Sequence, residues 1–172
     1  EAVAGLNWRW DDPETGFLFC SAKGNVSALL GAPGPYSTAT LAQRIADHYG
    51  MVRPAQVIST ACSSGLTALV MAHRQLITGR RNRIIIVGCD VLSSFTLRGF
   101  PALKAISPEI CRPYDASRNG TNLGEGAAAI VLERRRPVPG DIILAGGATS
   151  NDASHISRPS QDGTGLSTCI DR

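Results

Sequence analysis

Residues 83–90 read RIIIVGCD, a run with no polar residue between Arg83 and Gly88. A surface strand alternates apolar and polar residues, because its side chains point to opposite faces in turn. A run this short and this continuously apolar, rich in β-branched residues, is a strand buried on both faces. Such a strand needs layers above and below it, which points to a sheet sandwiched by helices. The flanking sequence supplies them. GFLFCSA at 16–22 and AQVIST at 55–60 are further strand candidates. TLAQRIADHYG at 40–50 and SSGLTALVMAHRQLITG at 63–79 have helical spacing, and Gly50 and Gly79 act as stops. In the second helix Leu66, Leu69, Val70, His73, Leu76 and Ile77 are expected to form the buried stripe. AAAIVLE at 127–133 is expected as another buried strand and DIILAGGATS at 141–150 as a further one. The glycine- and proline-punctuated stretch between about 91 and 126 reads as loop. Strand–helix alternation of this kind implies right-handed crossovers and a sheet covered by helices on at least one face.

The 172 residues are enough for a substantial core, and 43% hydrophobic with 18% charged residues is a globular balance. A formal charge of +3 and 5% aromatic residues give little basis for nucleic-acid binding. No apolar run approaches the roughly 18 residues of a membrane span, and no signal peptide is visible at the N-terminus. Five cysteines, Cys20, Cys62, Cys89, Cys111 and Cys169, are scattered with no CxxC pair. Neither a disulfide framework nor a metal site is expected from them, and a reducing cytoplasmic setting fits.

Cys62 stands apart from the other four. In VISTACSSGL, residues 57–66, it sits among Ala, Ser and Gly where a strand gives way to a helix. A thiol there is aimed from the end of a sheet onto unpaired N–H groups of a helix N-terminus, which favours its thiolate. Small neighbours allow a tight turn and close approach of a substrate. The residues alone leave two possibilities, a reactive thiol or a small side chain filling a crowded turn.

ISTACSSG, the helix and strand that follow it to VGCD, and CRPYDASRNGTNLGEGAAAIVLE at 111–133 together resemble the β-ketoacyl-acyl-carrier-protein synthases. GGATSNDASHISRPSQDGTG at 146–165 is similar to the segment that follows in that family, and FCSAKGNVSALL and LRGFPALKAISPE fit more loosely. The resemblance implies a thiolase-like α/β fold built of two similar halves, the N-terminal one an αβαβα unit with a mixed, mostly parallel sheet covered by helices. Residues 1–140 would be the N-terminal half without its first strand, and residues 141–172 the truncated start of the C-terminal half. It implies a decarboxylative Claisen condensation. Cys62 would take an acyl chain from a carrier-protein phosphopantetheine thioester, and malonyl carrier protein would lose carbon dioxide and attack that acyl group. Thiolate is both a good nucleophile and a good leaving group, which suits such a two-step transfer. The Cys62 N–H would be half of the oxyanion hole.

Other residues gain expected roles by the same route. Phe100 matches a phenylalanine that lines or gates the acyl pocket, or is an ordinary buried aromatic. His155 and Ser157 match substrate- or pantetheine-lining positions. Glu125, Asp115 and Arg118 are expected to support loops. His48 suits a surface role at a helix end, and His73 a core or interface position. Arg80, Arg81 and Arg83, with the Arg134–136 run, either meet an acidic carrier protein or are simply solvated. The family's two decarboxylating histidines lie in motifs that this sequence does not contain. The implied partners are acyl carrier protein and a second synthase subunit, identical or different. The implied setting is fatty acid or polyketide biosynthesis, with SAKGN, LKAISPE and NGTNLGEGAA nearest to synthases of polyene-pigment clusters. No cofactor or metal is implied beyond the carrier's phosphopantetheine. A non-catalytic partner subunit of the chain-length-factor type, or an inactive remnant, is the competing reading.

Overall fold

The computed structural model describes residues 9–155 and 159–171. Four strands form one sheet: β1 (Thr15–Cys20), β2 (Gln56–Ile58), β3 (Arg83–Asp90) and β4 (Gly126–Glu133). Their spatial order is β2-β1-β3-β4. β1 pairs in parallel with both β2 and β3, and β4 runs antiparallel to β3 with Arg83 opposite Glu133. The central pair carries the core: Phe17, Leu18, Phe19, Ile84, Ile85 and Ile86 are all 5% exposed or less. The expected mostly parallel, mixed sheet is therefore present.

Each face carries a helix. α1 (Thr38–His48) lays Ala42 and Ala46 against Phe17, Phe19 and Ile85. Ser37 caps it by accepting the Thr40 N–H. Gly50 follows its end at φ +65°, the left-handed conformation that stops helices. α2 (Ser64–Ile77) covers the other face, with Ala68, Ala72 and Leu76 against Leu18, Ile84 and Ile86. This shifts the expected stripe. Leu66 and Ile77 are 69% and 64% exposed, whereas Ala68 and Ala72 are fully buried. Small residues at steps of four let the helix backbone approach the flat sheet closely, so alanine rather than leucine marks the buried face.

Three other expectations are corrected. Residues 91–126 are not all loop: α3 (Ser94–Ala102) opens with Ser93 accepting the Thr96 N–H and runs through Gly99 and Pro101 to its last turn. β4 is not buried on both faces: its residues 126–130 are all exposed, Ile130 at 46%, because no helix of the described residues covers this last strand as α1 and α2 cover β1 and β3. Residues 141–150 form no strand; Ile142 is fully exposed and no ladder partner reaches this segment. A strand exists only where a neighbour accepts its hydrogen bonds, whatever its side-chain propensity. Near the C-terminus Thr164–Ile170 form a further helix, α4.

Candidate active site

The strand-to-helix connection after β2 is a tight turn. Residues Ala61–Ser63 form one 3-10 turn between β2 and α2, and Cys62 is its central residue, with its side chain exposed. Ala61 has φ +50°, a conformation that costs a residue with a Cβ energy. What holds it there is Ser64. Ser64 is 5% exposed, and its hydroxyl donates to the Ala61 carbonyl at 2.6 Å and accepts the Thr60 N–H at 2.9 Å. Ser63 adds a second clasp, donating to the Thr60 carbonyl at 2.7 Å. The Thr60 and Thr67 hydroxyls meet at 3.1 Å, tying the turn to the next turn of α2. Below lies Cys20, whose buried thiol donates to the Ser64 carbonyl at 3.6 Å and is pushed up in pKa by burial. Among the described residues the Cys62 N–H meets no acceptor. An exposed thiol and an open amide at the mouth of a fourteen-residue helix can both face a thioester carbonyl.

Adjacent strand ends brace this turn. Ser59 donates to the Ala22 carbonyl at 3.4 Å. The Asp90 carboxylate, at the end of β3, accepts the Ala22 N–H at 3.0 Å, the Ser21 hydroxyl at 3.0 Å and Lys23 Nζ at 3.2 Å. Burial disfavours its charge, but these donors outweigh burial and hold the carboxyl below the usual aspartate range.

A cleft of about 1070 Å³ opens beside the turn, lined by Thr60, Ser63, Leu66 and Thr67 on one wall and by residues of 148–169 on the other. The far wall packs tightly on α2: a Cβ on Gly147 would lie 2.9 Å from the Val70 side chain. Asp152 organises that wall. It accepts the Ser160 and Ser154 N–H groups, which bring its pKa to about 2. Ser154 lines the cleft, while His155, next in sequence, is exposed and is not on its lining. Ser157 lies outside the described residues. Phe100 is half-buried on α3, away from the cleft lining. The structure thus brings Thr60 and Ser63 of the Cys62 turn against residues 148–154 and 160–169, with Cys62 itself off the cleft lining, and leaves Phe100 in a separate element.

The long motif after α3 knits itself. Gly120 sits at φ +144°, where any Cβ would come within 2.5 Å of the Ser107 nitrogen. That close approach lets Ser107 and Thr121 exchange backbone bonds with the facing segment, while Asn119 accepts the Ser107 hydroxyl and Asn122 accepts the Cys111 N–H. Glu125 accepts the Leu92 N–H at 3.0 Å, the expected turn support. Asp115 accepts the Ser117 N–H and hydroxyl, and Arg118 donates to the Asp115 backbone carbonyl. His48 ends α1 with its ring edge-on to Tyr49, and His73 is half-buried on α2. Sequence reading missed Ser64; its signal was the second serine of CSSG, a hydroxyl placed where a strand must turn into a helix.

Residues 10–137 match the model of the beta-ketoacyl synthase N-terminal domain, and the chain belongs to that family. It is 30% identical over 202 aligned positions to 3-oxoacyl-[acyl-carrier-protein] synthase 2 of Rhizobium meliloti, covering 98% of this chain and 48% of that protein. It is 35% identical over 148 positions to a protein named as a polyketide beta-ketoacyl synthase from Streptomyces halstedii, covering 79% of this chain and 35% of that one. Among solved structures, a ketosynthase from Xenorhabdus doucetiae, in complex with its chain length factor, superposes with a TM-score of 0.75 at 27% identity, over 89% of this chain and 42% of that chain. The fold is thus that of the thiolase-like ketosynthases. The chain spans between a third and a half of the length of these relatives.

Proposed function

We propose that this chain is the nucleophile-bearing part of a 3-oxoacyl-[acyl-carrier-protein] synthase acting in fatty acid or polyketide biosynthesis. The observation that supports it most is the exposed Cys62 in a clasped turn at the head of α2, with its own N–H open beside it. The Cys62 thiolate attacks the carbonyl of an acyl thioester on acyl carrier protein. The tetrahedral oxyanion is received by the Cys62 N–H, and the pantetheine thiolate leaves and takes up a proton. Malonyl carrier protein then loses carbon dioxide, and the electron pair so released attacks the Cys62 acyl carbonyl. The carbon–carbon bond forms as the Cys62–acyl bond breaks, regenerating the thiolate. Histidines supplied from outside this chain assist the decarboxylation.

In this reading the 148–169 wall guides the pantetheine arm, with His155 and Ser157 near it, and Phe100 borders the acyl chain. The carrier's phosphopantetheine is the only prosthetic group the reaction draws on. A second synthase subunit completes the assembly. The site is cytoplasmic in this reading; among the described residues no helix is long and apolar enough to cross a membrane. The presence of Cys62 weighs against a non-catalytic subunit.

The test is intact-mass spectrometry of the full-length protein after incubation with an acyl carrier-protein thioester. One acyl adduct, absent in Cys62→Ala and discharged by malonyl carrier protein as a 3-oxoacyl product, is the expected result. Wild-type protein that takes up no acyl group, or an adduct that survives in Cys62→Ala, would overturn the assignment.

A further inference from the structure

Two arginine runs far apart in the sequence meet at the end of the sheet where β3 begins and β4 ends. The antiparallel register sets Arg83 opposite Glu133, and the Arg134 N–H donates to the Asn82 carbonyl at 2.8 Å. The Arg134 guanidinium reaches back over the 79–82 turn. It donates to Asn82 Oδ1 at 2.9 Å and stands 3.7 Å from where a Cβ on Gly79 would be. The six arginines then divide into two kinds. Arg83 is neutralised by Asp12 and Glu133, and Arg135 by Glu133 and Asp141. Arg80, Arg81, Arg134 and Arg136 have no carboxylate partner among the described residues. Among the described residues the Arg81 guanidinium donates to the Arg80 carbonyl and that of Arg134 to a neutral amide. The two chain segments that meet at this rim thus carry four guanidinium groups without a carboxylate partner among the described residues, three of them on exposed residues.

We propose that this rim is a docking surface for an acidic protein, read through bidentate contacts between these arginines and surface carboxylates. Guanidinium forks match carboxylate geometry, and several on adjoining segments can engage one partner of opposite sign. The rim is also interrupted by acids: Asp12, Glu133 and Asp141 lie among the arginines, and Glu14 is bound to the same turn through its backbone. A continuous phosphate backbone would meet those carboxylates repulsively, whereas a protein surface with discrete acidic groups can avoid them. No aromatic side chain stands within either arginine run or the turn between Gly79 and Arg83 to stack a base. The surface is independent of the chemistry assigned to Cys62.

The test is fluorescence anisotropy with full-length protein, using labelled poly-glutamate and duplex DNA of matched charge as probes. Poly-glutamate is expected to bind in a salt-sensitive way and DNA more weakly. R80E/R134E should weaken poly-glutamate binding by about tenfold or more. R44E, at an exposed position on α1, should leave it unchanged. R80Q/R136Q, which removes charge without reversing it, should lose affinity in the same direction, and thermal melts of each variant verify folding. Tighter binding of DNA than of poly-glutamate overturns the proposal in favour of nucleic acid. Failure to bind poly-glutamate, or equal losses in R44E and R80E/R134E, overturns it outright.

Discussion

At the scale of single residues, the candidate site depends on a serine that makes no contact with a substrate in the proposed chemistry. Ser64 joins the Thr60 N–H to the Ala61 carbonyl across the turn that carries Cys62. Replacing it with alanine removes both bonds and strands a partly buried amide. Ser64→Ala should therefore lower stability by about 1–3 kcal/mol in urea melts. With Ala61 freed from φ +50°, the Cys62 thiol should lose its fixed direction, and acylation should slow more than alkylation by a small reagent. Equal slowing of both would mean that the serine serves stability alone. Asp90 gives a pH signature nearby. Its folded pKa lies below the unfolded value, so its contribution is full above about pH 4 and fades as pH falls through the folded pKa. Wild type should exceed D90N in stability at neutral pH, and the gap should close on acidification below about pH 4. A gap that stays constant with pH would show that the asparagine only disturbs packing.

At the scale of elements, α2 shows what periodicity conveys and what it does not. Its existence, its start after Cys62 and its end near Gly79 are all legible in residues 63–79, because helix propensity and stop signals are local. Its buried face is not, because apolar bulk and burial part company at a close helix–sheet contact. Leu66 and Ile77 look like core residues and are exposed; Ala68 and Ala72 look neutral and are fully buried. Ala72→Leu should then destabilise by about 1–3 kcal/mol through overpacking. Ile77→Ala should stay within about 0.5 kcal/mol, the range usual for surface sites away from special features. Thermal or urea melts of the pair decide between the two stripes. α3 escaped for a related reason. Gly99 and Pro101 read as breakers, yet Pro101 falls in the last turn and the Ser93 cap sets the start. Cys62 was legible because its setting is local: a turn of small residues between a strand and a helix. The cleft, and where Phe100 and His155 lie relative to it, were not, because that depends on how distant segments fold over α2.

At the scale of the whole molecule, the sheet is covered on both faces over β1 and β3 and left bare at β4. β1 and β3 are sealed between α1 and α2, whereas β4 ends the sheet with Ile130 half-exposed. Beside it residues 141–144 leave Ile142 and Ile143 exposed, and a cleft of about 550 Å³ runs between this segment, β4 and the flank of α2 at His73 and Ile77. An unpaired strand edge bordered by exposed β-branched residues is a template for adding another strand. Expressed alone, these 172 residues should therefore self-associate, with sedimentation velocity showing mass beyond the monomer at micromolar concentration. Ile142→Lys places charge where no packing is lost, so it should reduce association while leaving the urea midpoint unchanged. Ile84→Lys, by contrast, would bury an unpaired charge in the core and unfold the chain. A monodisperse 18.1 kDa monomer in the unsubstituted chain would show that β4 tolerates solvent as it stands. Association that persists in Ile142→Lys would instead move the adhesive surface to the other end of the sheet, where the three-residue β2 also lacks an outer neighbour.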